Sequence, residues 1–162
     1  MSIRYFPPLA AMAGFGRMIA GRVHFRRERV GTVIVSADGE RHQVFREMRV
    51  DPAGDVVPES LVTLKLRFRF ARFSSGTNQI LSLLPVPVIA GMPGILQKTW
   101  TYCDETGYSQ GIYRFESELL AEGYLRSLVI HVLKRRTVEG SFAWDTEYDH
   151  QGSLPPIYQA RK

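Results

Sequence analysis

Residues 63–70 read Thr-Leu-Lys-Leu-Arg-Phe-Arg-Phe. Leu64, Leu66, Phe68 and Phe70 alternate with Thr63, Lys65, Arg67 and Arg69, so one face is apolar and the other carries three cations. A period of two over eight residues specifies a half-buried β-strand. Downstream, Ser74-Ser75-Gly76 reads as a turn and Thr77–Leu84 as a short helix that Pro85 and Pro87 end. Residues 95–103 form a second strand, Asp104-Glu-Thr-Gly107 a turn, and residues 109–115 a third strand. Ser117 is placed to cap a longer helix from Glu118 to about Lys134, with a negative charge in its first turn. Its predicted inner positions are Leu120, Ala121, Tyr124, Leu125, Leu128, His131 and Val132. Residues 137–146, with Val138, Phe142 and Trp144 in one phase, read as a fourth strand.

The order β-α-β-β-α-β is the ferredoxin-like plan, an α+β fold. It predicts a sheet in the order 4-1-3-2 with both helices on one face. Upstream, residues 51–60 hold two prolines, a glycine and three acids and read as a loop. Before the loop, Pro7-Pro8 opens a short helix whose apolar positions are Leu9, Met12, Phe15 and Ile19. Residues 29–36 and 41–50 flank Asp38-Gly39 as a β-hairpin. The expected organisation is an N-terminal extension over residues 1–60, helix plus hairpin packed on the main domain, then a ferredoxin-like domain over 61–150. A tail over 151–162 contains Pro155-Pro156.

Composition narrows the classes of function. The 162 residues carry 21 Lys plus Arg against 16 Asp plus Glu, a net charge of +5, with the excess spread over both halves. That distribution lacks the basic arm or stripe of a nucleic-acid binder, and no nucleic-acid partner is expected. The single cysteine, Cys103, excludes an internal disulfide and a zinc ribbon. No apolar run is long enough to span a membrane, so no membrane partner is expected and the reading is of a cytoplasmic protein.

One segment carries a resemblance. Residues 89–100 read Ile-Ala-Gly-Met-Pro-Gly-Ile-Leu-Gln-Lys-Thr-Trp; Gly-Ile-Tyr-Arg-Phe-Glu-Ser and Ala-Glu-Gly-Tyr-Leu follow at 111–117 and 121–125. Pro93-Gly94, Lys98-x-Trp100 and Gly111-Ile112-Tyr113 are its sharpest pieces. This pattern, over about residues 61–145, resembles the YdhR-like monooxygenase family of the dimeric α+β barrel superfamily. The resemblance implies a homodimer whose sheets face one another around a pocket, a small-molecule ligand, and oxygenation without metal or flavin. The first 60 residues have no counterpart in the short members of that family.

The candidate site residues follow from these readings. His131 and Tyr102 are the candidates for a catalytic base and an orienting hydroxyl, since proton removal from an aromatic or enolisable substrate needs such groups. Trp100, Lys98, Tyr113, Arg67 and Arg69 are the candidates for binding an aromatic or anionic small molecule. Lys65, Arg67 and Arg69 share one strand face, and an enclosed space would require acidic neighbours or an anionic ligand to neutralise them. Glu139 and Asp145 are the expected acids. No cofactor and no metal are expected. Asn78, Trp100 and His131 supply the residue types of the heme-degrading enzymes of the superfamily, but Asn78 falls in a predicted helix. Gly107-Tyr-Ser109-Gln-Gly111 fits the spacing of a nucleophile elbow, yet its serine opens a strand after a hairpin turn, the wrong context. Cys103 reads as structural. The alternative to an enzyme is a non-catalytic binding or assembly protein with the same dimeric barrel and a filled pocket.

Overall fold

The computed structural model describes residues 6–36, 38–52, 61–72 and 74–149. Its centre is an antiparallel sheet in the order β1-β3-β5-β6-β4-β7, with β2 also paired to β3. The strands are β1 (Val23–Phe25), β2 (Val33–Val35), β3 (Arg41–Val50), β4 (Leu61–Phe68), β5 (Ile95–Tyr102), β6 (Ser109–Phe115) and β7 (Ala143–Asp149). The stretch β7-β4-β6-β5 is the 4-1-3-2 order that the alternating strand implied. β3 lengthens this sheet by pairing with β5 from Gln43↔Tyr102 to Arg49↔Gln97. Short β1 and β2 lie against β3, joined by a 3-10 turn at Arg27–Arg29. The β2–β3 pair is the hairpin read around Asp38-Gly39, and Gly39 supplies its positive φ of 85°.

The helices are α1 (Pro7–Ile19), α2 (Ser75–Leu81), α3 (Val86–Ala90), α4 (Glu118–Leu125) and α5 (Leu128–Arg135). Met48, Leu64, Leu66 and Phe115 meet Ala121, Tyr124 and Ile130 from α4 and α5 in the buried core. The α+β ferredoxin-like architecture is therefore present, with an N-terminal helix added. α1 starts at the two prolines, but its inner face differs from the expected one. Ala10 and Gly14 are buried, whereas Leu9, Met12, Phe15 and Ile19 are exposed. The reason is a backbone-to-backbone approach to α3. A Cβ on Gly14 would lie 1.8 Å from the Pro87 carbonyl oxygen, and one on Gly91 1.7 Å from the Ala10 oxygen. Large side chains have no room on that side.

Three further boundaries depart from expectation. Pro85 and Pro87 do not only end a helix; they open α3, where a missing N–H costs nothing in the first turn. The expected helix over 118–134 is two helices, parted at Arg126 and Ser127, with Ser127 extended at ψ 159°. The break turns Ile130 into the core and leaves Leu128, His131 and Val132 exposed. The last strand begins at Ala143, not Thr137, because Gly140 takes a positive φ of 74° and closes a turn first. Ser141 Oγ ties that turn to the Val138 and Arg69 carbonyls. The proline-containing tail and most of the acidic loop lie outside the described residues.

Candidate functional site

β5 sets the site. Lys98 pairs with Tyr113 and Met48, Trp100 with Gly111 and Arg46, and Tyr102 with Ser109 and Gln43. Alternation puts Lys98, Trp100 and Tyr102 on one face. Tyr113 shows which face this is, because its hydroxyl accepts a 3.1 Å hydrogen bond from the Tyr124 hydroxyl of α4. Lys98 is thus under the helices, only 5% exposed. Its Nζ lies 4.4 Å from the ring centroid of Trp100 and 4.4 Å from that of Tyr113. Lys98 forms no ion pair with a carboxylate among the described residues. Burial, reinforced by the Arg46 guanidinium, holds the amine well below the ordinary lysine range. Arg46 stands over the same indole at 5.7 Å, so two cationic side chains share one ring. Gly111 makes room for this packing: a Cβ there would meet Tyr113 Cε2 at 2.8 Å. Burial also raises the Tyr113 and Tyr124 phenols above their usual range.

Arg46 links this buried cluster to the surface. It donates to Ser82 Oγ and, at 3.3 Å, to the Gln79 carbonyl at the end of α2. It also lines an open recess of about 310 Å³ together with Arg26, Arg27, Glu47, Phe25, Phe45 and Leu83, in which Glu47 pairs with Arg26 at 3.7 Å. A second recess of about 260 Å³ lies at the start of α2, between Asn78, Tyr102, Arg69 and Ser109.

The expected site residues therefore separate. Lys98, Trp100 and Tyr113 come together under the helices. Tyr102 and Arg69 share the second recess. His131 is exposed on α5 and Asn78 is on α2, bonded through Nδ2 to the Arg72 carbonyl. Arg67 belongs to the opposite, concave face, where the curl of the sheet brings it to Glu40, just before β3. Its Nε and Nη2 donate to the two Glu40 oxygens at 3.0 and 2.6 Å, and its guanidinium lies 3.5 Å from the Tyr108 ring centroid. Acidic neighbours do neutralise this face, but they are Glu40 for Arg67 and Glu147 for Lys65, not Glu139 or Asp145. The Arg67 hydrogen bonds hold the Glu40 carboxyl below its ordinary range. Glu40 also pairs with Nε2 of the wholly buried His42 at 3.2 Å.

Sequence reading missed Arg46, Glu40 and His42. All three lie in the segment before the acidic loop; the β3–β5 register reveals what Arg46 faces, and the approach of β4 to the start of β3 brings Arg67 to Glu40. The bulge between Val44 and Arg46 is decisive, because it resets which side chains point under the helices.

No family model matches the sequence, and neither does any curated protein. Solved structures do resemble the fold. A ferredoxin-fold protein related to antibiotic biosynthesis monooxygenases, from Listeria monocytogenes, aligns with a TM-score of 0.51 at 10% identity, over 69% of this chain and 65% of that one. A monooxygenase-like protein from Listeria innocua gives 0.51 at 10% identity, over 74% and 68%. A heme-degrading enzyme from Listeria monocytogenes gives 0.48 at 14% identity, over 71% and 74%. This chain thus spans just under two thirds of the first of these. At such identities the likeness concerns architecture: the chain has the ferredoxin-like α+β fold found in monooxygenase-like proteins.

Proposed function

We propose that this chain is a small-molecule-binding protein of the YdhR-like monooxygenase type, cytoplasmic and homodimeric, whose ligand is aromatic or anionic and lies against Arg46, Trp100 and Lys98. One observation carries the reading. A lysine buried between two aromatic rings, beside a second cation and without a carboxylate partner among the described residues, is a costly arrangement for a core. A site that receives an anion or an electron-rich ring gives that cost a purpose. The adjoining recess supports the same chemistry through Arg46 and Arg27 beside an apolar floor of Phe25, Phe45 and Leu83, while Arg26 is paired with Glu28 and with Glu47, which also lines it. Oxygenation without metal or flavin is the reaction this site would serve.

A specific observation favours the second reading, a non-catalytic protein with a filled pocket. The helix side of the sheet is occupied by Tyr113, Tyr124, Phe115, Met48 and Leu66. Calorimetric titration with simple aromatic carboxylates such as 4-methylbenzoate separates the two. Saturable binding weakened at least tenfold by Arg46→Met supports the ligand site. Absence of binding, with no small molecule retained through native purification, supports the filled interior.

A further inference from the structure

The geometry points to Lys98 as a nucleophilic amine that condenses with the carbonyl group of an apolar oxo acid, a role resting on the ligand site proposed above. Two structural conditions that activate a lysine amine are both present. The amine is removed from water, with ring faces on two sides and only 5% of the residue exposed. A second cation, Arg46, is held over the same indole and disfavours a proton on the amine. Burial also weakens the amine's hold on a proton, which favours the free lone pair. No carboxylate among the described residues pairs with it to restore the charge.

The ligand class follows from the recess that Arg46 lines. Arg46 stands over Trp100 and also lines the recess with Arg27, Arg26 and Glu47. Arg26 is paired with Glu28 and Glu47, so the guanidinium that links recess and indole, Arg46, is the one offered to a ligand carboxylate. Phe25, Phe45, Val30 and Leu83 supply the apolar wall for the rest of the molecule. In the reaction the Nζ lone pair adds to the carbonyl carbon and the C=O π pair moves to oxygen. Proton transfer gives a carbinolamine. Loss of one water leaves a C=N bond between Nζ and the former carbonyl carbon. No oxidant or reductant enters this step.

The chain holds four lysines, Lys65, Lys98, Lys134 and Lys162, which makes the test selective. The full-length protein is incubated at neutral pH with 4-carboxybenzaldehyde and cyanoborohydride, which supplies the hydride that reduces the imine to a stable secondary amine. Peptide mass mapping is expected to find the adduct on Lys98 at least tenfold ahead of the exposed Lys134. The urea-unfolded protein is expected to lose that preference. Lys98→Met and Lys98→Arg should abolish the fast adduct, and 4-methylbenzaldehyde should react more slowly than its carboxylated counterpart. Modification confined to Lys65, Lys134 and Lys162 would overturn the proposal. If 4-methylbenzoate nevertheless binds with an Arg46-dependent affinity, the ligand site stands and only the amine chemistry falls.

Discussion

Lys98 gives up its hydration for two ring faces, and that exchange has a measurable thermodynamic signature. Its affinity for a proton is lower in the fold than in the unfolded chain. Between the folded value and about 10.4 the unfolded state therefore holds a proton that the native state does not, and stability rises with pH across that window. Above about 10 the trend reverses, because unfolded Tyr113 and Tyr124 release protons that the buried phenols keep. Lys98→Met fills a similar volume without the amine. It is expected to raise stability by about 1–3 kcal/mol at pH 7 and to flatten the rise between neutral and alkaline pH in urea titrations. Glu40 behaves in the opposite sense. Its folded proton affinity is depressed by Arg67, so its contribution is complete above the ordinary carboxylate value of about 4.3 and is lost as pH falls below it. Glu40→Gln should cost about 1–2 kcal/mol at pH 7, with the two proteins converging as acid is added. An equal difference at pH 7 and pH 3 would count against the pair.

Among the elements, the α1–α3 contact is the most sensitive to a single atom. Gly14 and Gly91 leave no space for a methyl group against the opposing backbone, and backbone cannot yield as a side-chain tip can. Gly14→Ala is therefore expected to cost about 3 kcal/mol or more, read as a shifted urea midpoint, while Gly16→Ala, which meets open space, should be neutral or slightly stabilising. The same contact shows why part of this fold was legible in the sequence and part was not. The alternation at residues 63–70 specifies a strand and its faces with no outside information. β5, β6 and the hairpin at Gly39 carry equally local signals. Helix periodicity, by contrast, marks where large apolar groups recur and not which face is inside. In α1 the close approach to α3 selects the small residues, and the large ones point outward. In α5 the break at Ser127 rotates the later turns, so His131 leaves the arc to which it was assigned. The site was half legible for the same reason. Lys98, Trp100 and Tyr113 follow from alternation, whereas Arg46 arrives through a bulge and a strand pairing that no spacing announces.

At the scale of the whole molecule, the outer side of α1 is an exposed apolar surface. Arg17 is the only charged residue in that helix, and it turns inward, donating to the Ala90 and Met92 carbonyls. Met12 is 71% and Ile19 88% exposed, with Leu9 and Phe15 beside them. The concave sheet face is instead polar, with Lys65–Glu147, Arg67–Glu40 and a Thr99–Glu47 hydrogen bond. Apolar area is what association removes from water most favourably, so the proposed homodimer is expected to use α1 and not the facing sheets that the resemblance implies. Sedimentation at micromolar concentration should give a dimer, converted to monomer by Phe15→Glu with Ile19→Glu and unaffected by Lys65→Glu. Monomer in every case would remove the homodimer from the functional reading. The inward turn of Arg17 also bears on how the chain is made. Its acceptor at Ala90 lies 73 residues later in the sequence. At about 5–20 residues per second, the ribosome has exposed α1 for roughly 4–15 s before the backbone that receives it exists. During that interval an almost wholly apolar segment has no native partner. The chain thus presents a hydrophobic target to ribosome-associated chaperones during its synthesis, and its yield should depend on them more than its final stability suggests.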